Sequence, residues 1–261
     1  MVQRTLEYLK SGANPFSFSY CVIWVNINKM MLLTLLPALM GFIMMRHDAD
    51  ESVYLKLGEK YKHVIAEFGP GNGTLIHPNW VLTASHVADV IKDSVKISDK
   101  KYAITEVIKH KSADLALVKL NKKVSNVSPP KLYNGKVEIG QKIVFVGTGY
   151  AGYGDHGMNG KVIKDRKFRG AQNKIENVDQ NHNLIIRFDH PASGLALPLE
   201  GISGPGDSGG PALMETDSGL YIVGVSSFQD FEEDKVEGMY DALEFYPRVS
   251  HYYTWITKNI N

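Results

Sequence analysis

From His63 onward the apolar residues fall into short runs, broken by glycine, proline and polar turns, at 63–68, 73–77, 80–84, 94–98, 102–110 and 115–120. Short runs rich in Val, Ile, Leu and Tyr predict β-strands, whose successive side chains point to opposite faces so that one set meets a core. A short helical turn is predicted after His86. The polar stretch 121–137, with its proline pair, predicts a linker. A second set of runs follows near 141–147, 161–168, 183–188, 211–215, 220–228 and 243–248. Val249, Tyr252, Tyr253, Ile256 and Ile260 then recur at helical spacing, which predicts a closing amphipathic helix. The pattern fits an all-β chain of two six-stranded antiparallel β-barrels with a C-terminal helix. The first barrel spans 63–120, the linker 121–138, and the second barrel with its helix 139–261.

Ahead of the strands lies a different pattern. Residues 30–45 (MMLLTLLPALMGFIMM) form an apolar run with Lys29 before it and Arg46 after it. A spanning helix needs ~20 such residues, so the run better suits the hydrophobic region of a signal peptide. No small-x-small cleavage site follows it, and an uncleaved membrane anchor is the alternative. A start at Met30 or Met31 would make residues 1–29 a mis-assigned extension. Residues 1–45 are thus expected to be a signal peptide or anchor, and 46–62, opened by Asp48, Asp50 and Glu51, a polar linker. The expected location is secreted or periplasmic, or membrane-anchored through residues 30–45.

Composition narrows the choices. A chain of 261 residues, 44% of them hydrophobic, has ample core for one large domain or two small ones. Its formal charge of +1, with both signs interspersed, gives no reason to expect a nucleic-acid partner. The single cysteine, Cys21, precedes the strands, so the β unit contains no disulfide and is held by packing alone.

Candidate chemistry sits in three blocks. Gly206-Asp207-Ser208-Gly209-Gly210-Pro211 surrounds one hydroxyl with small residues. Glycine permits the positive φ and close approach of a turn whose amides face a developing oxyanion. Upstream stand Thr83-Ala84-Ser85-His86-Val87 and Asp114-Leu115-Ala116-Leu117-Val118. A serine hydroxyl needs a base within reach, and histidine can both accept and return its proton. Twenty-eight positions separate His86 from Asp114, and 94 separate Asp114 from Ser208, so only tertiary folding can unite them.

In this order the blocks resemble those of the trypsin/chymotrypsin-like serine proteases, over a stretch from about Val64 to the C-terminus. The resemblance, together with the absent disulfides, points to a bacterial-type member. It implies Ser208 as nucleophile, His86 as general base and then acid, and Asp114 as the group orienting the imidazole. The amides of Gly206 and Ser208 would form the oxyanion hole. It implies a monomeric endopeptidase acting on protein or peptide substrates, with no cofactor and no metal. A catalytically silent homologue serving as a protein-binding module is the other class; such proteins typically lose a triad residue, and none is missing here.

By the same resemblance, the primary pocket is walled by residues just before the nucleophile and by Ser226-Ser227-Phe228-Gln229. Ser227 matches the serine that supports the triad aspartate, and Phe228 the aromatic that lines the cleft. Ile202, six before Ser208, stands where trypsins carry an acid. Glu244 is expected near the far wall, where its carboxylate would accept Lys or Arg, and Gln229 would narrow the entrance. No IVGG-like string lies between Arg46 and His86, so Asp207 is expected to find a partner other than the freed N-terminus of many relatives.

Three other motifs are set aside. GxGxxG at 147–152 is followed by Tyr153, Gly154, Asp155, His156 and Gly157, which do not open a helix as a dinucleotide site requires. The G-x-S-x-G elbow of 206–210 needs its acid and histidine after the serine, and only His251 follows. The acidic stretch 230–234 lacks an ordered calcium-ligand spacing.

Overall fold

The computed structural model describes residues 41–260. Cys21 and residues 30–40 of the apolar run lie outside the described residues. The last five residues of that run form strand β1, Gly41–Met45, in which Ile43, Met44 and Met45 are buried. These five therefore belong to the folded body. Among the described residues no helix is long and apolar enough to cross a membrane.

The stretch expected to be a linker carries helix α1, Glu51–Tyr61. Asp50 caps it, its Oδ1 accepting the Ser52 amide at 2.7 Å, and Glu51 favours the positive end of the helix dipole. Its buried stripe is only Tyr54, Gly58 and Tyr61, too sparse to stand out against the charged residues between them.

The first half closes into a six-stranded barrel. It is built from β2 (Ile65–Glu67), β3 (Asn72–His77), β4 (Trp80–Thr83), β5 (Ser94–Ile97), β6 (Lys100–Lys109) and β7 (Ala116–Leu120). The ring runs β2-β3-β4-β7-β6-β5, and the Ala66↔Ile97 pairing closes it. A one-turn helix, α2 (Ser85–Ala88), follows β4. Ile65, Leu75, Val81, Leu82, Leu117 and Val118 are all buried in one core cluster, so both faces of β4 and β7 are covered.

After the short strand β8 (Lys131–Leu132), the second half holds β9 (Lys142–Tyr153), β10 (Phe168–Lys174), β11 (Asn177–Val178) and β12 (Asn183–Arg187). Then come β13 (Gly201–Ser203), β14 (Pro211–Thr216), β15 (Gly219–Val225), β16 (Phe228–Asp230), β17 (Leu243–Pro247) and helix α3 (Val249–Ile260). Here the arrangement differs from a second closed six-stranded barrel. One sheet runs β13-β1-β9-β14-β15-β8, with β10 also on β9, and a second runs β11-β12-β17-β16. The cause is β1, which pairs in parallel with the far end of β9 and antiparallel to β13, adding a strand from outside the predicted set. The strand expected at 161–168 lies instead at 168–174, because FRGAQNK has no apolar alternation to reveal it.

Helix α1 rests on β10 through Gly58, where a Cβ would fall 2.5 Å from the Phe168 carbonyl carbon. Arg169 of β10, almost fully buried, bonds Glu51 and forks onto Asp165 at 2.8 and 3.0 Å, which ties the helix start to the sheet. Gly58→Ala gains about 1 kcal/mol of helix propensity but drives a methyl into strand backbone. We expect a net loss of about 2 kcal/mol, read as a lower urea midpoint.

Candidate active site

His86 occupies the second position of α2, where β4 leaves the barrel. Val87 beside it is buried and anchors the turn, which leaves the imidazole half-exposed. Asp114 precedes β7, at the end of a turn tightened by the Ser112 and Ala113 amides donating to His110 Nδ1. Its carboxylate accepts three hydrogen bonds: the His86 amide at 2.9 Å, His86 Nδ1 at 2.7 Å and Ser227 Oγ at 2.6 Å. An acceptor at Nδ1 places the ring proton there and leaves Nε2 as the basic nitrogen. Burial alone would push the Asp114 carboxyl up. The hydrogen bond and charge of His86, with the Ser227 hydroxyl, outweigh it and hold Asp114 below the usual carboxylate range.

Ser208 sits on the 204–210 turn, flanked by Gly206 at φ +91° and Gly209 at φ +80°. The Asn72 amide donates to the Ser208 carbonyl at 2.9 Å, and the Gly209 amide to the Ser226 carbonyl at 2.8 Å. Gly71 marks how closely this turn meets α2. A Cβ there would lie 2.8 Å from Val87 Cγ2 and 2.9 Å from the Ser208 carbonyl oxygen. The structure thus joins His86, Asp114 and Ser227 by direct hydrogen bonds and sets Ser208 against the same corner. Ser208 Oγ makes no hydrogen bond to His86 in this conformation. Neither the Gly206 nor the Ser208 amide donates to an acceptor among the described residues, which leaves both available to a ligand oxygen.

Asp207 is fully buried beneath this turn. Its Oδ1 accepts Asn72 Nδ2 at 3.2 Å, and its Oδ2 has no hydrogen-bond partner among the described residues. Burial first, then the Glu244 charge, push its pKa well up, which favours the neutral acid. A side chain on Gly147 would collide with this carboxyl, so the first glycine of the GxGxxG string serves Asp207 from within a strand. Asn72 is a site residue that sequence reasoning missed: its Nδ2 also donates to the Gly206 carbonyl at 3.4 Å, which orients the turn. Its only signal is an amide at the start of a strand that leads into Leu75 and Ile76, in a setting where few polar side chains are buried.

Beside Ser208 opens a pocket walled by Ser203, Gly204, Ser226, Ser227, Phe228 and Gln229. Glu237 and Glu244 complete its lining. Gln229 straps it, with Nε2 donating to the Ser203 carbonyl and Oε1 accepting the Gly238 amide at 3.2 Å. Phe228 is half-exposed and stacked on Phe245, centroids 4.5 Å apart. Ile202 does not line the pocket; it is core, paired with Met44 across β13 and β1. Glu237 was not singled out from the sequence, since it lies in an acidic loop that reads as solvated surface.

Comparison with known proteins identifies the family and the fold. The family model described as Trypsin matches residues 64–256. An uncharacterized peptidase of Corynebacterium glutamicum strain R is 28% identical over 191 residues, covering 70% of this chain and 62% of its own length. A protein named a putative peptidase, from strain ATCC 13032 of that species, matches to the same extent. The chain thus spans about six tenths of the length of these curated relatives. Among solved structures, neuropsin, a serine protease expressed in the limbic system of mouse brain, superposes with a TM-score of 0.59 at 20% identity. That match covers 77% of this chain and 96% of neuropsin, and it establishes likeness of fold. The chain is a member of the trypsin family of peptidases.

Proposed function

We propose that this protein is a serine endopeptidase that cleaves peptide bonds through an acyl-enzyme formed on Ser208. What carries the reading is the Asp114 carboxylate bonded at once to His86 Nδ1, the His86 amide and Ser227, next to a serine turn with two undonated amides. In the reaction, His86 Nε2 takes the Ser208 proton as Oγ attacks the substrate carbonyl. The Gly206 and Ser208 amides hold the oxygen as it becomes negative, and the imidazolium is stabilised by ionised Asp114. His86 then protonates the leaving amine, the C–N bond breaks, and water repeats the sequence to release the acid. β16, at the edge of its sheet, offers unpaired backbone to an extended substrate. Labelling by a fluorophosphonate is the test. Wild type is expected to react and Ser208→Ala to stay unlabelled; an unreactive wild type identifies a silent binding homologue instead.

Export through the N-terminal apolar run is likewise proposed. Removal of β1 would strip Ile43, Met44 and Met45 from the core, so a leader that is cleaved has to end before Gly41. N-terminal sequencing of the mature protein is expected to place its start between Met30 and Gly41, and a start before Met30 would sink the export reading.

A further inference from the structure

The two carboxyl groups of the pocket differ in how they are held. Glu244 is 1% exposed, and its oxygens accept the Ser203 amide at 3.0 Å, the Ser226 hydroxyl at 2.7 Å and the Ser203 hydroxyl. Three of about four lone-pair sites are taken by the walls it joins. Glu237 is half-buried, and its carboxyl makes no hydrogen bond or ion pair among the described residues. Its backbone, by contrast, is fastened. The Met158 amide donates to the Glu237 carbonyl at 3.0 Å, and the next residue, Gly238, is tied to Gln229. Gly157 allows this approach, since a Cβ there would sit 2.7 Å from the Glu237 carbonyl oxygen. An unpaired, partly desolvated carboxyl on an anchored segment lacks only a cation.

We infer that Glu237, rather than Glu244, meets the cationic side chain of a lysine or arginine on the acyl side of the scissile bond (P1), while Glu244 holds the pocket walls together. The inference rests on the peptidase reading above. The groups facing Glu237 supply no competing cation. Glu244 lies on β17, with the Asp207 carboxyl coupled to it. On its own loop, Lys235 is engaged by Asp241 at 2.7 Å and Glu232 at 3.6 Å. On the 154–160 turn, His156 and Asp155 pair at 3.6 Å. Burial, then the Glu244 charge, push Glu237 up to about 7. The neutral acid below that value tolerates an uncharged P1 side chain, and the carboxylate above it favours a cation. Any ionisation that governs the shared chemical step scales both kinds of substrate alike and cancels in their ratio.

The test compares kcat/KM for two peptides that differ only in Lys or Leu at P1. The Lys:Leu ratio of the wild type is expected to rise about tenfold from about pH 6 to about pH 8.5, following ionisation of one group near 7. Glu237→Gln is expected to lower that ratio about tenfold or more at the upper pH and to flatten its profile. Glu244→Gln is expected to slow both peptides, keep the ratio at the upper pH and move its rise to lower pH, since the charge that raises Glu237 is gone. Benzamidine binding to the Ser208→Ala protein, measured by calorimetry, removes catalysis from the question. Affinity is expected to tighten about tenfold over the same pH range, with release of a proton. An unchanged ratio in Glu237→Gln, or a preference lost only in Glu244→Gln, overturns the inference. Ser208-dependent cleavage with a flat wild-type ratio overturns it alone. Proton-linked benzamidine binding without any peptide cleavage leaves the pocket assignment standing and sinks the peptidase reading.

Discussion

Ser208→Ala is expected to lower kcat for peptide hydrolysis by about 10⁶-fold, with a residue of about 10³- to 10⁴-fold over water retained by the oxyanion hole and substrate binding. The size follows from the division of labour. Without Oγ there is no nucleophile for His86 to activate, and loss of one member of such a unit costs nearly as much as loss of all. The same substitution should scarcely touch stability. Ser208 Oγ holds no hydrogen bond among the described residues, whereas the turn is held by backbone bonds to Asn72 and Ser226. A thermal midpoint shifted by several degrees would mean that the serine has a structural role this geometry lacks.

Asp114→Asn is expected to reduce kcat by about 10⁴-fold. The carboxylate accepts from three donors, two on His86 and one on Ser227. An asparagine offers one acceptor oxygen and two N–H donors, so either orientation sets donor against donor. The cheapest relief is to move the imidazole proton to Nε2, which removes the base that Ser208 requires. The substitution also reports on acid stability. Asp114 sits below its ordinary value in the folded state, so it adds stability that is fully present above the unfolded carboxylate range near 3.9 and is lost as pH falls through the lower, folded value. Urea midpoints measured between about pH 2 and about pH 5 should decline less steeply in Asp114→Asn than in the wild type. An equal decline would show that other carboxyls dominate the acid limb.

Much of the first barrel was legible because its strands are short apolar runs bounded by turns. Trp80–Thr83 and Ala116–Leu120 are buried almost throughout, so each reads as a continuous apolar run whose end fixes where His86 and Asp114 emerge. The second half was less legible. β10 carries polar side chains and Gly170 on a surface covered by α1, so its burial comes from a partner that a local window does not contain. β1 misled for the opposite reason. A strand buried between two neighbours is continuously apolar, and next to the equally apolar residues 30–40 it is indistinguishable from more of the same.

The chain by itself determined the types and order of the candidate groups, the glycines that let a backbone turn around Ser208, and the strand pattern that carries them. Those are local properties, set by side-chain chemistry, φ preference and period-two burial. Only the folded structure decided which groups are satisfied. It alone put Asn72 under Asp207, committed Glu244 to Ser203 and Ser226, and left Glu237 unpaired at the pocket. Hydrogen-bond saturation and desolvation depend on neighbours tens of residues away, and no property of a single position encodes them.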